Sequence, residues 1–457
     1  MNKLSGWEDT IVAPATAPGV AAIGVIRVSG PDTFDIVQKL FTSKELKQLP
    51  SHTVHFGMLR WKGQIIDEVL LTLFRGPKSY TGEDTIEISG HGSPFVMQQI
   101  TTALIESGAR MARNGEFTQR AFLNGKLDLT QAEAVADLIA ANTQTAQRFA
   151  ISNIRGGFSA ALKEMREKLI AFASLIELEL DFATEDVEFA DRKRFHELMS
   201  GIELETQHLL QSFQLGNVVK NGVSVAIIGK PNAGKSTLLN CLLQEDRAIV
   251  SDIAGTTRDT IEELLNIDGV LFRVIDTAGI REHSADKIES IGIEKSLEKM
   301  RTADLVIYLY DVREESATSL LERVKQFEEE GISYLLVANK CEETEGGVAI
   351  QKFDKSIRIS AKLNQGMSNL KNAMFEKSVG KSVHSDQTVI TNTRHLEALQ
   401  HMMQSINNIQ EGLHQHIPGD LLAIEIRTCL MHLGEITGEI TSEDKLDYIF
   451  SKFCIGK

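Results

Sequence analysis

The residues Gly229-Lys230-Pro231-Asn232-Ala233-Gly234-Lys235-Ser236 have the spacing of a loop that grips phosphates. Gly229 and Gly234 let the backbone curl until its N–H groups face a phosphate chain. Lys235 is placed to reach the β- and γ-phosphates, and the Ser236 hydroxyl to ligate Mg²⁺. The same pattern turns up by chance in unrelated chains. Here it follows an apolar strand at 224–228 and precedes a helical stretch, as the chemistry demands. Asn232, Ala233, Gly234, Lys235, Ser236 and Thr237 are the expected nucleotide contacts of this segment.

Asp276-Thr277-Ala278-Gly279 closes the next strong strand. An Asp there can hold Mg²⁺ through a water, while Gly279 can present its N–H to a γ-phosphate and move when that phosphate leaves. Between the two motifs lies Gly255-Thr256-Thr257-Arg258-Asp259. By itself this Thr pair reads as a solvated turn. Between two phosphate-site motifs it reads as a loop that supplies a second hydroxyl to Mg²⁺. Base reading comes last. Asn339-Lys340-Cys341-Glu342 and Ser360-Ala361-Lys362 each follow a strand, and in GTPases the first is usually Asn-Lys-x-Asp, whose carboxylate accepts the guanine N1–H and N2–H. Glu342 keeps that pair of acceptors but moves it by roughly a bond length. Guanine is the expected base and adenine the alternative. Ile280 stands where Ras-type switches place a water-orienting Gln, so help with hydrolysis must come from elsewhere.

These motifs need an α/β sheet beneath them. Apolar segments at 224–228, 271–275, 305–310, 334–338 and 357–359 alternate with helical patterns, which predicts a doubly wound sheet of Ras-like type. Residues 1–120 carry strands at 10–13, 24–28, 69–73 and 85–88 between Gly/Pro turns and read as an α+β domain. From about 127 the pattern becomes helical, with Leu162, Met165, Leu169, Phe172 and Ile176 at three- and four-residue steps. It turns helical again after Gly380, where Leu396, Leu399, Met403 and Ile406 share a face. A capping signal, Thr441-Ser442-Glu443-Asp444, opens a last helix that carries Leu446, Ile449, Phe450 and Phe453. Packed together, the two helical stretches bury stripes that each would otherwise expose. The expected boundaries are 1–120, a discontinuous helical domain at 121–219 and 380–457, and a GTPase domain at 220–379 inserted in it.

Composition narrows the class. The chain of 457 residues carries a net charge of −15, so a basic footprint for nucleic acid must be local or come from a partner. No apolar run is long enough to span a bilayer, the N-terminus lacks a secretion signal, and the cysteines are scattered, which together predict a cytoplasmic protein with reduced thiols.

Together, Gly-Lys-Pro-Asn-Ala-Gly-Lys-Ser, Asp-Ile-Ala-Gly-Thr-Thr-Arg-Asp, Asp-Thr-Ala-Gly and the terminal Phe-Cys-Ile-Gly-Lys resemble the bacterial tRNA modification GTPase family MnmE, also called TrmE. The resemblance runs through Tyr80-Thr81-Gly82-Glu83-Asp84, Gly90-His91-Gly92 and Arg120 to Asp128, and covers essentially the whole chain. It implies a homodimer that works with a flavin-containing partner, MnmG or GidA, in a heterotetramer or larger assembly. Together they would add a carboxymethylaminomethyl or aminomethyl group to the wobble uridine of certain tRNAs. The one-carbon unit would come from a reduced folate, 5-formyl- or methylene-tetrahydrofolate. In agreement, no Gly-x-Gly-x-x-Gly fingerprint follows a strand here, so the flavin belongs on another chain. The resemblance also implies that the N-terminal domain binds folate and mediates dimerisation, with Arg27, Glu87, Lys126 and Lys457 on the folate. Arg27 and Glu87 otherwise read as solvated strand residues. K⁺ would replace an arginine finger, held by Asn232, Ser251, Ile253 and Thr256, with Thr257 on Mg²⁺. The catalytic Glu maps to Glu289, with Glu282 as the competitor because this segment runs one residue longer than the family's spacing. Cys454 would be the reactive thiol. The competing functions are a GTPase ribosome-assembly factor, which usually carries a basic RNA-binding domain, and a regulatory switch without modification chemistry.

Overall fold

The computed structural model describes residues 8–181, 192–246, 263–275, 302–343, 356–380, 389–415 and 417–456. The chain forms two compact units: Met1–Ala136, Asn153–Ala190 and Gln415–Lys457 in one, Asp137–Ser152 and Asp191–His414 in the other. The helical stretches are shared between the units. Among the described residues, no helix is long and apolar enough to cross a membrane.

The first unit is built on β1 (Ile11–Pro14), β2 (Ile23–Ser29), β3 (Thr53–Trp61), β4 (Gln64–Phe74), β5 (Thr85–His91) and β6 (Arg110–Met111), in the order β3-β4-β5-β2-β1-β6. Neighbours are antiparallel except β1 and β6. Lys62 and Gly63 both take positive φ (50° and 80°), the geometry of a two-residue hairpin turn, and so set the β3–β4 pairing. Period two sorts the side chains. Ile26, Val28, Leu71, Leu73, Ile86 and Ile88 form a core with α1 (Thr33–Leu40) and α2 (Pro94–Glu106). Arg27, Thr72 and Glu87, paired in register across β2, β4 and β5, belong to the opposite face.

A buried charge network ties the loop between β4 and β5 to α3 (Glu116–Leu123). Arg120 is 1% exposed; its Nη2 donates to Asp9 Oδ1 (2.7 Å) and Glu116 Oε1 (3.0 Å), and its Nη1 to the Asp9 carbonyl (2.8 Å) and Glu83 Oε2 (3.2 Å). Glu83 also accepts from Ser29 Oγ (3.1 Å), and the Asn124 amide donates to the Thr81 carbonyl (2.7 Å). The motifs at 80–84 and 120–128 thus hold each other in place. Such a network adds little over an apolar core, but removing one partner leaves an uncompensated buried charge.

Helices α4 (Leu129–Ala140) and α5 (Gln144–Ile154) follow α3 along the chain. In the helical part of the first unit, α6 (Gly157–Asp181) buries Leu162, Met165, Leu169, Phe172 and Ile176 and packs on α12 (Gly419–Thr437). The last helix, α13 (Glu443–Phe450), is N-capped by Ser442, whose hydroxyl accepts from the Lys445 N–H. Its Leu446 and Phe450 pack with Phe453, Leu129 and Ala132.

The second unit holds β7 (Val223–Ile228), β8 (Glu263–Ile267), β9 (Val270–Val274), β10 (Leu305–Asp311), β11 (Tyr334–Asn339) and β12 (Ile357–Arg358), in the order β12-β11-β10-β7-β9-β8. All neighbours are parallel except β8, an antiparallel edge joined to β9 through Asp268 and Gly269. On one face, the core takes in α8 (Lys235–Asp246) and α10 (Met367–Val379). On the other, α9 (Ala317–Glu329) packs against Val306, Tyr308 and Leu336. Helices on both faces make the sheet doubly wound. Strand β7 lies between β9 and β10, where the chain changes direction across the sheet, and ligands bind at the carboxyl ends of strands at such a switch point. Beside the sheet, α7 (Arg192–Asn221) packs on α11 (Thr393–His414). On α11, Leu399 and Ile406 are buried as the spacing predicts, but Met402 takes the buried place expected for Met403.

The charge network gives the first unit a pH dependence. Burial alone would raise the Glu116 pKa, but hydrogen bonds from Arg110, the Arg113 N–H and Arg120 bring it below the usual value. A depressed carboxylate contributes stability that is complete above its unfolded pKa of about 4.3 and is lost as pH falls through the lower folded value. Glu116→Gln is expected to cost about 3 kcal/mol at pH 7 and less at pH 3. Urea-unfolding midpoints of both proteins at the two pH values check this.

Candidate functional site

The loop that follows β7 is shaped by contacts its glycines permit. A Cβ on Gly229 would run into the Leu309 carbonyl of β10, and one on Gly234, whose φ is +98°, into the Asn339 amide. Asn232 takes a left-handed φ of 61°, which Asn tolerates better than most residues. Lys235 Nζ donates to the carbonyls of Gly229 (2.8 Å) and Lys230 (3.0 Å), and burial lowers its pKa. α8 begins at Lys235, so the free N–H groups and positive dipole of its first turn, with Ser236 and Thr237, adjoin the loop.

Asn339, at the end of β11, joins the loop to the base-reading segments. It is 3% exposed; its Nδ2 donates to the Ala233 carbonyl (2.8 Å) and its Oδ1 accepts from the Ala361 N–H (3.0 Å). Ser360 is buried, its hydroxyl accepts from the Leu363 N–H (3.2 Å), and Lys362 is exposed. Lys340 follows with a left-handed φ of 67° and an ion pair to Asp311 (2.9 Å), and leads into the short turn Cys341–Glu343. There the Glu342 Oε2 atom is buried and accepts no hydrogen bond from any described residue. An orphaned acceptor is costly unless something supplies a donor. Guanine offers N1–H and N2–H at this edge, whereas the adenine N1 is itself an acceptor.

Strand β9 runs beside β7, and the Ile275 N–H donates to the Val225 carbonyl (3.0 Å), one residue before Asp276. Asp276, Thr277, Ala278 and Gly279 lie outside the described residues, as do Ser251, Ile253, Thr256, Thr257, Ile280, Glu282, Glu289 and Lys457.

In the first unit, Arg27 Nε and Nη2 donate to Glu87 Oε1 (3.0 and 2.7 Å), and Nη1 donates to the Gly456 carbonyl (3.3 Å). The guanidinium lies 5.3 Å from the Tyr80 ring centroid and 5.6 Å from that of Phe117. The C-terminal segment is therefore laid against the sheet. It is held further back by the Gly115 N–H on the Cys454 carbonyl (3.3 Å) and the Asn114 amide on the Ser451 carbonyl (3.2 Å). Gly456, with φ +91°, leaves no room for a Cβ against the Pro14 carbonyl. Cys454, between these anchors, is exposed. Lys126 donates to the Pro77 carbonyl (2.9 Å). Arg27, Glu87 and the tail are thus brought together. Sequence reasoning did not single out Asp311, whose one visible signal is an acid closing the apolar strand 305–310.

Two family models cover the chain: the GTP-binding protein TrmE N-terminus matches residues 10–126 and the MnmE helical domain residues 129–454. The tRNA modification GTPase MnmE of Cytophaga hutchinsonii is 51% identical over 458 residues, spanning 100% of this chain and 99% of that protein. The chain belongs to the MnmE family of tRNA modification GTPases. MnmE of Bacteroides fragilis is 49% identical, covering 98% of this chain and 100% of that one, and MnmE of Flavobacterium psychrophilum is 48% identical, covering 99% and 100%. Among solved structures, translation elongation factor SelB from Methanococcus maripaludis matches 35% of each chain at 17% identity and a TM-score of 0.25, too slight a likeness to argue from.

In this MnmE-family chain, Glu342→Gln puts an NH₂ donor where an acceptor is needed and is expected to weaken GDP binding by at least about tenfold. Glu342→Asp restores the usual residue and should bind as tightly or more tightly. Titration with a fluorescent guanine nucleotide decides; loss of binding in Glu342→Asp would show that this segment is not the base reader.

Proposed function

We propose that this chain hydrolyses GTP and couples that switch to modification of the wobble uridine of certain tRNAs. With a flavoprotein partner, MnmG, it adds a carboxymethylaminomethyl or aminomethyl group to C5 of that base. The observation that carries the nucleotide half is the orphaned, buried Glu342 Oε2 beside an Asn339 amide that joins the phosphate loop to Ala361. Membership of the MnmE family, whose relatives at 48 to 51% identity are named for tRNA modification, supports the other half.

The donor types suit the ions the reading needs. Ser236 and Thr257 offer hydroxyls for Mg²⁺. Asn232 carries a side-chain carbonyl on an exposed turn of the loop, a hard oxygen suited to K⁺, with Ser251, Ile253 and Thr256 as its partners. These ions supply positive charge where negative charge grows on the transferring phosphoryl group. Asn339 and Glu342 orient the base, Lys235 and the loop N–H groups bind the phosphates, and Glu289 positions the attacking water.

The reduced folate belongs with Arg27, Glu87, Lys126 and Lys457. A guanidinium backed by Tyr80 and Phe117 and paired with a carboxylate offers both a cation and an acceptor to a pterin or its glutamate tail. The Cys454 carbonyl accepts from the Gly115 N–H, which leaves its exposed thiol free to react. The N-terminal domain mediates homodimerisation, the GTPase domain is inserted in the helical domain, and the site of action is cytoplasmic.

GTP turnover is expected to be at least about tenfold faster in K⁺ than in Na⁺ at equal ionic strength. Asn232→Ala should lose that preference and still bind nucleotide. Equal rates for the unaltered chain in the two salts would overturn the potassium site.

The thiol is tested separately. Cys454→Ser leaves the second unit untouched, so GTP hydrolysis should match the unaltered chain while wobble-uridine modification disappears in a deletion strain. Restored modification would remove the thiol from the mechanism.

A further inference from the structure

The phosphate loop and the base-reading segment are both tied to a turn that belongs to neither motif. Strand β10 is apolar until Asp311, which is 4% exposed. Asp311 Oδ2 pairs with Lys340 Nζ (2.9 Å) and with Arg313 Nη2 (2.6 Å), and its Oδ1 accepts from the Arg313 N–H (3.0 Å) and Nε (2.9 Å). Its backbone carbonyl accepts the N–H groups of Glu314 and Glu315 (3.2 Å each), which winds the chain into a tight turn. Glu315, with a side chain 1% exposed, pairs through Oε2 with Lys230 Nζ of the phosphate loop (3.0 Å) and accepts from Ser319 Oγ at Oε1 (2.6 Å). Ser316 then caps α9. The Val312 N–H donates to the Asn339 carbonyl (3.3 Å), so the turn is also joined to β11 by backbone.

We propose that the turn 311–316 is a positioning element of the nucleotide site: Asp311 aims the guanine-reading segment through Lys340, and Glu315 holds the phosphate loop through Lys230. This rests on reading the site as one for guanine nucleotides. Lys340 has a left-handed backbone, which an L-residue keeps only when its surroundings insist on it. That conformation turns the chain out of β11 into Cys341–Glu343, so it sets where the Glu342 carboxylate points. The Asp311 contact is what holds it: the carboxylate is buried, its hydrogen bonds to Arg313 and Lys340 outweigh burial, and its pKa lies well below the usual range. Lys230 is more than half exposed, so the Glu315 tie is the weaker of the two.

The two ties act on opposite ends of the nucleotide, and binding of GDP and IDP to the full chain separates them. Inosine lacks the N2 amino group, so the ratio of the two affinities reports how well Glu342 is aimed. Asp311→Asn is expected to weaken GDP by about tenfold and to narrow the GDP-to-IDP ratio. Glu315→Gln should weaken both nucleotides by a smaller, equal factor and leave the ratio unchanged. Asp311→Asn combined with Lys340→Gln should be no worse than the weaker-binding single variant, because both break one contact. If Asp311→Asn does not fold, Lys340→Gln reads the same contact from its partly exposed side and should narrow the ratio by itself. An unchanged ratio in the aspartate and lysine variants, or additive losses in the pair, overturns the positioning role. An unaltered chain that binds ADP as well as GDP would instead sink the guanine reading on which the proposal rests.

Discussion

One buried amide organises the second unit. Asn339 bonds the Ala233 carbonyl on one side and the Ala361 N–H on the other, joining segments that lie 106 and 22 residues away from it. Both partners are backbone groups in loops, where no ladder would satisfy them, so leaving either unpaired would carry the full desolvation cost. Gly234 follows from the same contact, because a side chain there would push the amide away. The phosphate loop, the start of α8 and the Ser360-Ala361-Lys362 segment are thus placed by one side chain that need not touch a nucleotide to matter.

The first unit answers a comparable problem with charge. A loop of turn residues between β4 and β5 must be fixed to α3, and Arg120 does this by meeting Asp9, Glu83 and Glu116 at once. The planar fork of arginine suits such a junction, since its donors point in fixed directions toward several acceptors. The same sheet receives the C-terminal segment. Gly115 and Gly456 each stand where a Cβ would meet backbone, so the tail lies flat enough for the Gly456 carbonyl to reach Arg27.

Acidic residues outnumber basic ones by 63 to 48, and several of the buried acids act as anchors for cations. Asp311 and Glu315 hold Lys340 and Lys230, and Glu116 holds Arg110 and Arg120. A strongly negative chain therefore still presents fixed positive groups, Lys230 and Lys340, at the nucleotide site. Long basic side chains lose much rotamer freedom on binding an anion, and a carboxylate that already orders them removes part of that cost.

The phosphate loop was legible in the sequence because strand, glycines, lysine and helix follow one another within a few residues, and local spacing suffices to describe such a motif. The central strands at 224–228, 271–275, 305–310 and 334–338 were legible as well, since burial on both faces leaves a mostly apolar run, interrupted here by Ser224 and Arg273. Of the edge strands, β12 was legible at 357–359 but β3, β6 and β8 were not, because an edge with one solvated face carries mixed residues and gains its identity from pairing. Tertiary structure alone decided the rest. Arg27 reads as a solvated strand residue until Gly456, 429 positions on, reaches its guanidinium. Asp311 is the last residue of an apolar strand until Lys340 folds back onto it. No periodicity records such meetings, because they depend on where distant segments are packed and not on the order in which they are joined.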